Sequence, residues 1–284
     1  MKTLFSMLVL WSLASPFWGV WAQLSGDTWA SVSQKKTGYL TITYIQAPAL
    51  TFRNEQGQLD GICFDIVKSF MDYLRTTRGI NLKAKVMPET QDFSKFLLDI
   101  KSAQGGVFGL GNITITPDRE LAYDFSPPFI NNLSFLLTHQ SVPTLGALAD
   151  IGRQFAGMTA YTVKGSTNEH YLISIKQKYF PALRIVHLPN SGSVMSKVSS
   201  DNRSFTVLDF NFYAEALKFS APIKRHPVGD YSEEFFGVIM PNNSDWKPIW
   251  EEFFAKTQFR KSIEYRKILT KHLGTSAVRA LEMY

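Results

Sequence analysis

The chain has 284 residues, of which 45% are apolar, and it carries 30 basic against 24 acidic side chains for a net charge of +6. A chain of this size can bury one or two ordinary hydrophobic cores. The basic residues are scattered rather than gathered into runs, which argues against nucleic-acid binding. With Cys63 as the only cysteine, an intrachain disulfide is excluded, so the fold must rest on its core.

The first 22 residues predict a cleavable secretory signal peptide. They carry one positive charge at Lys2, then an apolar run, then Val20-Trp21-Ala22 with small residues placed for cleavage after Ala22. Pro16 and Gly19 interrupt the run, which falls short of the roughly 20 residues that a membrane-spanning helix needs. We therefore expect a periplasmic product without a lipid anchor, because no cysteine lies just after the leader.

The first half of the remaining chain alternates strand and helix patterns. YLTITYI alternates β-branched residues as a strand does. The stretch DGICFDIVKSFMDYLRTTRGI has apolar residues every four positions, at Ile62, Ile66, Phe70 and Leu74, which predicts one buried helix face. NLKAKVM predicts a second strand and FSKFLLDIKS a second helix, while GNITITPDRELAYDFSPPF predicts a third strand that stops at Pro117. This order is typical of a parallel sheet with helical crossovers.

The same order then begins again. QFAGMTAYTV, LRIVHL and FTVLDF predict strands, separated by the helices STNEHYLISIKQKYF and SGSVMSKVSS. After Glu234, FFGVIMP predicts one more strand, followed by helices at about 246–257 and 260–272. Two α/β lobes are therefore expected, with the chain crossing between them near 126–136 and 228–238.

Five motifs in order carry a resemblance to a known family: GICFDI, GNITITPDRELAYDFSPPF, VKGSTNEHYL, VLDFNFYAEAL and EFFGVIMPNNSDW. Over residues 36 to 274, roughly, the chain resembles the family 3 periplasmic solute-binding proteins, which feed polar amino acids to ABC importers. The second motif is the most specific. The resemblance implies an α/β fold of the two-lobed periplasmic binding protein type (type II) with two chain crossings. Residues 36–130 and 234–284 would form lobe 1, and residues 131–233 lobe 2.

The resemblance also implies a ligand site in the cleft between the lobes. Arg119 would hold an α-carboxylate, and Asp209 an α-ammonium group. The remaining implied contacts come from Asn112 and Thr114 on one lobe and from the helix-opening Ser166 and Thr167 on the other. The chemistry of these residues agrees, since a zwitterion leaving water needs a partner for each charge, and an arginine fork matches a carboxylate.

Three positions depart from the family pattern. Cys63 replaces an acid of the helix-entry motif, Leu50 stands where an aromatic residue is common near the pocket wall, and Phe129 stands for the usual tyrosine. The residues that hold the charged ends of an amino acid are present. The pocket for the ligand side chain, and with it the identity of the ligand, is left open.

The interpretation favoured by the sequence is a monomeric binding protein that delivers an amino acid to an ABC permease. It would have no catalytic residue, cofactor or metal. Two alternatives remain: a sensor component, and an enzyme like the periplasmic cyclohexadienyl dehydratases, which also resemble this family, with Glu169 as the one candidate proton donor. His170, His187, His226 and His272 lie on different predicted elements and are interpreted as core or surface residues rather than ligands.

Overall fold

A computed structural model describes residues 23–275 and residue 278, so the predicted signal peptide lies outside the described residues. The strands are β1 (Thr37–Tyr44), β2 (Phe52–Arg53), β3 (Leu59–Asp60), β4 (Asn81–Val86), β5 (Val107–Leu110), β6 (Tyr123–Phe125), β7 (Ile130–His139), β8 (Thr159–Val163), β9 (Arg184–Leu188), β10 (Ser204–Asp209), β11 (Ile223–Arg225), β12 (Tyr231–Phe236) and β13 (Ile239–Pro241). The helices are α1 (Trp29–Lys35), α2 (Ile62–Arg78), α3 (Phe93–Ser102), α4 (Pro117–Glu120), α5 (Ile151–Gln154), α6 (Thr167–Lys178), α7 (Ser191–Ser200), α8 (Phe210–Lys218), α9 (Lys247–Thr257) and α10 (Ile263–Leu273). Among the described helices, none has the length and apolar character required to span a membrane.

The first lobe is built on a five-stranded sheet in the order β4-β1-β5-β13-β6, with β1 parallel to both of its neighbours. The helix face predicted from Ile62, Ile66, Phe70 and Leu74 is fully buried. Phe70 stacks on Trp250 of α9 with ring centroids 4.1 Å apart. This aromatic contact between elements from opposite ends of the chain fixes α9 against α2.

The loop after β1 is fixed to the start of α2 by backbone contacts. The N–H groups of Ile62 and Cys63 donate to the carbonyls of Ala49 and Leu50, both at 2.9 Å. Gly61 precedes the helix with φ 118°, and a Cβ there would lie 2.4 Å from the Leu50 carbonyl oxygen. Only glycine fits this position without a backbone shift.

The second lobe is built on a sheet in the order β11-β7-β10-β8-β9, with β12 paired to β7. Strands β10, β8 and β9 run parallel, whereas β7 is antiparallel to β10, β11 and β12. Phe155 and Phe205 pack in its core with ring centroids 5.1 Å apart. The predicted α/β fold of two lobes is confirmed.

The two chain crossings lie side by side. The chain leaves the first sheet after β6 and returns to it between β12 and β13. Ser126 N–H donates to the Val238 carbonyl at 2.9 Å, and Val238 N–H donates to Ser126 Oγ at 3.0 Å. Phe129 N–H donates to the Phe236 carbonyl at 3.0 Å. These bonds pair the outgoing and returning segments between the two sheets.

Two strand predictions were wrong. The third strand of the first lobe is β5, before the GNITIT segment, and the segment itself makes only an isolated bridge between Thr114 and Phe236. Its backbone bonds instead go to the returning crossing, from Ile115 N–H to the Phe235 carbonyl and from Gly237 N–H to the Ile113 carbonyl. FFGVIMP is not one strand either, because Gly237 separates β12 in the second sheet from β13 in the first.

His226 is a buried histidine in the core of the second lobe, with no exposed surface. Nδ1 accepts from Leu145 N–H at 2.9 Å. Nε2 therefore carries the proton and lies 2.8 Å from Thr138 Oγ1, whose own hydroxyl donates to a carbonyl. Burial, helped by Lys224, lowers the pKa of His226 to about 4.

We expect the free energy of unfolding to fall between pH 7 and pH 5, with His226 contributing about 2 kcal/mol of the loss. The unfolded chain binds the proton near pH 6.5 and the folded one only near pH 4, so this stability is present above pH 6.5 and is lost as the pH falls toward 4. Urea unfolding at both pH values measures it. The loss of unfolding free energy between pH 7 and pH 5 should be smaller in His226→Gln than in the wild type, but unchanged in the exposed control His170→Gln. Equal losses in both variants would show that His226 is not the group responsible.

Candidate ligand cleft

A small cavity of about 30 Å³ lies between the lobes, where strands of both sheets end. Its walls from the first lobe are Ile45, Gln46, Phe93, Asn112, Thr114 and Arg119. Its walls from the second lobe are Val163, Ser166, Thr167, Asn168, Asn190, Ser191 and Asp209. All six residues proposed from the sequence thus meet at one cavity, which lies at the carboxyl ends of the strands, as expected for open α/β sheets.

Arg119 is held in the cavity wall by the turn that precedes it. Thr116 caps the short helix α4 and accepts from Arg119 N–H at 3.2 Å. The guanidinium donates to the Thr114 carbonyl at 2.8 Å and, across the cleft, to the Gly165 carbonyl at 3.0 Å. It also lies over the Phe93 ring, 5.5 Å from its centroid. Contacts with residues of both lobes therefore fix the orientation of the Arg119 guanidinium.

Asp209 ends β10 and is only 2% exposed. Its Oδ1 accepts from Asn132 at 2.9 Å, Ser134 at 3.1 Å and Asn168 at 3.1 Å. Its Oδ2 accepts from Asn112 of the opposite lobe. These donors are neutral, and within the described part of the chain no basic side chain pairs with Asp209. Such a carboxylate is solvated by the protein but still uncompensated in charge, which favours a cation beside it.

The N-terminus of α6 faces the same cavity. Ser166 is its cap: Oγ accepts from Glu169 N–H at 3.1 Å and donates to the Val163 carbonyl at 2.7 Å. Thr167 begins the helix, and its hydroxyl lies 3.4 Å from that of Thr114 across the cleft. The first-turn N–H groups of a helix have no partner within it and attract anions. The cavity therefore has a positively charged side, at Arg119 and the N-terminus of α6, and a negatively charged side, at Asp209.

Further hydrogen bonds join the rims of the two lobes. Asn190 Nδ2 donates to the Gln91 carbonyl at 2.9 Å, and next to it Phe93 N–H donates to the Pro189 carbonyl at 3.2 Å. On the other rim, Asn211 Nδ2 donates to the Pro48 carbonyl at 3.1 Å. The lobes are thus in contact on both sides of the cavity, in a closed arrangement.

Several wall residues were missed from the sequence, above all Phe93, Asn168 and Asn190. Asn190 follows β9 and caps α7, with its Oδ1 accepting from Ser193 N–H at 2.9 Å. The strand-to-helix turn LPNSGS carried the same signal that pointed to Ser166, namely a capping residue directly after a strand. Phe93 gave no comparable signal, because it begins a helix in which it shares a buried face with Phe96 and Ile100.

Glu169, the candidate proton donor of the enzyme alternative, does not line the cavity. One carboxylate oxygen accepts from Gly165 N–H at 2.6 Å, and the other is in contact with His187 Nε2. One oxygen thus holds the turn before α6, and the other contacts β9. This arrangement orders the helix N-terminus rather than presenting an acid to the cleft.

The sequence departures also lie outside the cavity walls. Cys63, Leu50 and Phe129 are buried in the first lobe, at 1%, 0% and 0% exposure. Burial raises the pKa of the Cys63 thiol to about 11, and Sγ lies 3.6 Å from the Gly111 carbonyl oxygen. A buried thiol of this kind is inert. The three substitutions therefore adjust core packing and do not shape the cavity directly.

One group of side chains has the composition of a metal site, but cations of the protein already occupy it. Asp60, Asp65 and His272 present ligand atoms within 4.8 Å of one another. Lys271 Nζ lies 3.0 Å from Asp60 and 2.8 Å from Asp65. Burial alone would raise the pKa of Asp65, but hydrogen bonds from His272, Lys271 and Lys68 hold it well below its usual range. The cluster is an ion-pair network that ties α10 to α2.

The architecture defines a class of protein: two α/β lobes, joined by two crossings, that close on one cavity. A model of the bacterial extracellular solute-binding proteins, family 3, matches residues 40–275. The chain belongs to this family. A comparison with curated proteins finds no match.

Solved structures share the fold at low sequence identity. An ancestral arginine-binding protein bound to arginine is 21% identical, with a TM-score of 0.67 over 83% of this chain and 98% of its own. An ABC uptake transporter substrate-binding protein from Streptococcus pneumoniae with bound histidine is 16% identical, with a TM-score of 0.68 over 87% and 96%. An ancestral amino acid-binding protein described as a precursor of cyclohexadienyl dehydratase is 18% identical, with a TM-score of 0.65 over 86% and 98%.

Proposed function

We propose that this protein captures an α-amino acid between its lobes and delivers it, unaltered, to the permease of an ABC importer. It would work in the periplasm as a monomer, after export through the N-terminal signal peptide. The proposal rests on the positions of Arg119 and Asp209, which lie on opposite sides of one small cavity. The solved relatives that hold arginine or histidine support the same class of ligand.

The charges of the cavity match those of an amino acid. The carboxylate of the ligand would take the place of the Gly165 carbonyl at Arg119, next to the first turn of α6. The ammonium would take the place of the Asn112 amide at Asp209. Both exchanges replace a neutral partner by a charged one, which strengthens the hydrogen bond.

Binding in this way requires the lobes to open and close. The cavity of about 30 Å³ has room for a few water molecules at most and is too small for an amino acid. Opening at the paired crossings near Ser126 and Val238 would break the bonds between the lobes. Closure on the ligand would restore the rim contacts and add the two charged ones, so the ligand favours the closed form.

The test is a panel of the twenty amino acids added to the purified mature protein, with the melting temperature followed for each. We expect one or a few to raise it in proportion to their concentration, since a ligand bound only by the folded form stabilises it. Mass spectrometry after long incubation should recover the same molecule. A panel in which no amino acid stabilises the protein would refute the proposal.

The same preparation tests the enzyme alternative. Turnover of prephenate or arogenate that is lost in Glu169→Gln would replace the carrier by a dehydratase. We expect none, because a general acid must reach the leaving group, and both Glu169 oxygens are directed to Gly165 and His187.

A further inference from the structure

A second, larger hollow lies beside the cavity. It has a volume of about 200 Å³ and shares the walls Ile45, Gln46 and Asn190 with the cavity. Its other walls are Pro48, Glu89, Gln91, Gly192, Phe212 and Glu215. We call it the side-chain groove, because a ligand anchored at Arg119 and Asp209 has this space available for its side chain.

The charged groups on the groove walls are all acidic. Glu89 comes from the first lobe, after β4, and Glu215 from α8 of the second lobe. In the described part of the chain, neither carboxylate has a hydrogen-bond or ion-pair partner. Desolvation raises the pKa of Glu215, while Lys218, one turn further along α8, acts in the opposite direction. Glu89 is half-buried and Glu215 is exposed, so a cation in the hollow would meet negative charge from both lobes.

The groove also contains apolar surface. Phe212 and Pro48 line it and can cover the methylene groups of a long side chain. Walls that are apolar and acidic fit a long side chain with methylene groups and a cationic end.

We infer that the side-chain groove is the specificity site of the protein, and that Glu89 and Glu215 select α-amino acids whose side chain ends in a cation, a guanidinium or an ammonium. This inference rests on the proposed function, since the groove needs the amino acid to be anchored in the cavity. The two carboxylates lie on opposite lobes, so a cationic side chain also joins the lobes at a second point.

Pairs of ligands with the same shape and different charge test the inference directly. Calorimetric titration of the mature protein should give an affinity at least tenfold higher for arginine than for citrulline, and for lysine than for norleucine. Glutamate, whose side chain is repelled by both carboxylates, should bind more weakly than citrulline. These comparisons need no substitution and do not depend on how a variant folds.

Two variants then assign the preference to the groove. Glu89→Gln and Glu215→Gln should each lower the ratio of arginine to citrulline affinity by about threefold to tenfold, with citrulline affinity unchanged. The matched control is Glu251→Gln, which makes the same change of charge at an exposed position of α9. Melting temperatures confirm that all three variants are folded.

The outcomes separate this inference from the proposed function. Equal affinity for arginine and citrulline, or a ratio that both groove variants leave unchanged, would overturn the inference while the amino-acid site stands. A protein that binds neither cationic nor neutral α-amino acids would overturn both.

Discussion

Arg119→Ala is expected to lower the affinity for α-amino acids by roughly a hundredfold or more, while the protein still folds. The substitution leaves the ligand carboxylate without its charged partner in a site closed to water. It also removes the bond from the guanidinium to the Gly165 carbonyl, one of the contacts that close the cleft. Calorimetric titration with the ligand found in the panel measures the loss.

Two further variants make this result specific. Arg153→Ala removes the same side chain from an exposed position of the second lobe, and its affinity should match that of the wild type. Arg119→Lys keeps the charge but not the fork, so we expect it to recover only part of the affinity. A folded Arg119→Ala protein with wild-type affinity would show that Arg119 only holds the turn.

The contacts around Asn190 explain how ligand binding can be coupled to closure. One side of its amide caps α7, and the other side donates to the Gln91 carbonyl across the cleft. The same residue is a wall of both the cavity and the side-chain groove. A ligand seated there thus lies against a group that also joins the lobes, so filling the site and closing it favour each other.

The elements of the fold that depend on local pattern were predictable from the sequence. The four-residue spacing of Ile62, Ile66, Phe70 and Leu74 predicted the buried face of α2 because burial of one helix face depends only on that spacing. The division of FFGVIMP between two sheets was not predictable in this way. It depends on Gly237 and on its bond to the Ile113 carbonyl, a contact between segments more than a hundred residues apart.

The cleft residues also divide into those that a local pattern predicts and those that depend on distant contacts. Residues that end a strand or cap the following helix, such as Asp209 and Ser166, could be proposed because that position places them at the cleft. Glu89 and Glu215 could not, since one lies beyond the end of β4 and the other in the middle of α8. Their meeting at one groove depends on how the lobes close, and no sequence pattern encodes that directly.

Asp209→Asn is expected to lower the affinity for α-amino acids by roughly a hundredfold. The affinity for compounds of the same shape that lack the amine should fall much less. The carboxylate already has neutral donors from Asn132, Ser134 and Asn168, so what it gains from a ligand is a positive charge. An asparagine carries no charge and would turn an N–H group toward one of those donors. Competition experiments with the amino acid and its desamino analogue measure both affinities in one protein. Because the analogue reports any general damage to the cleft, equal losses for the two compounds would identify Asp209 as a structural residue.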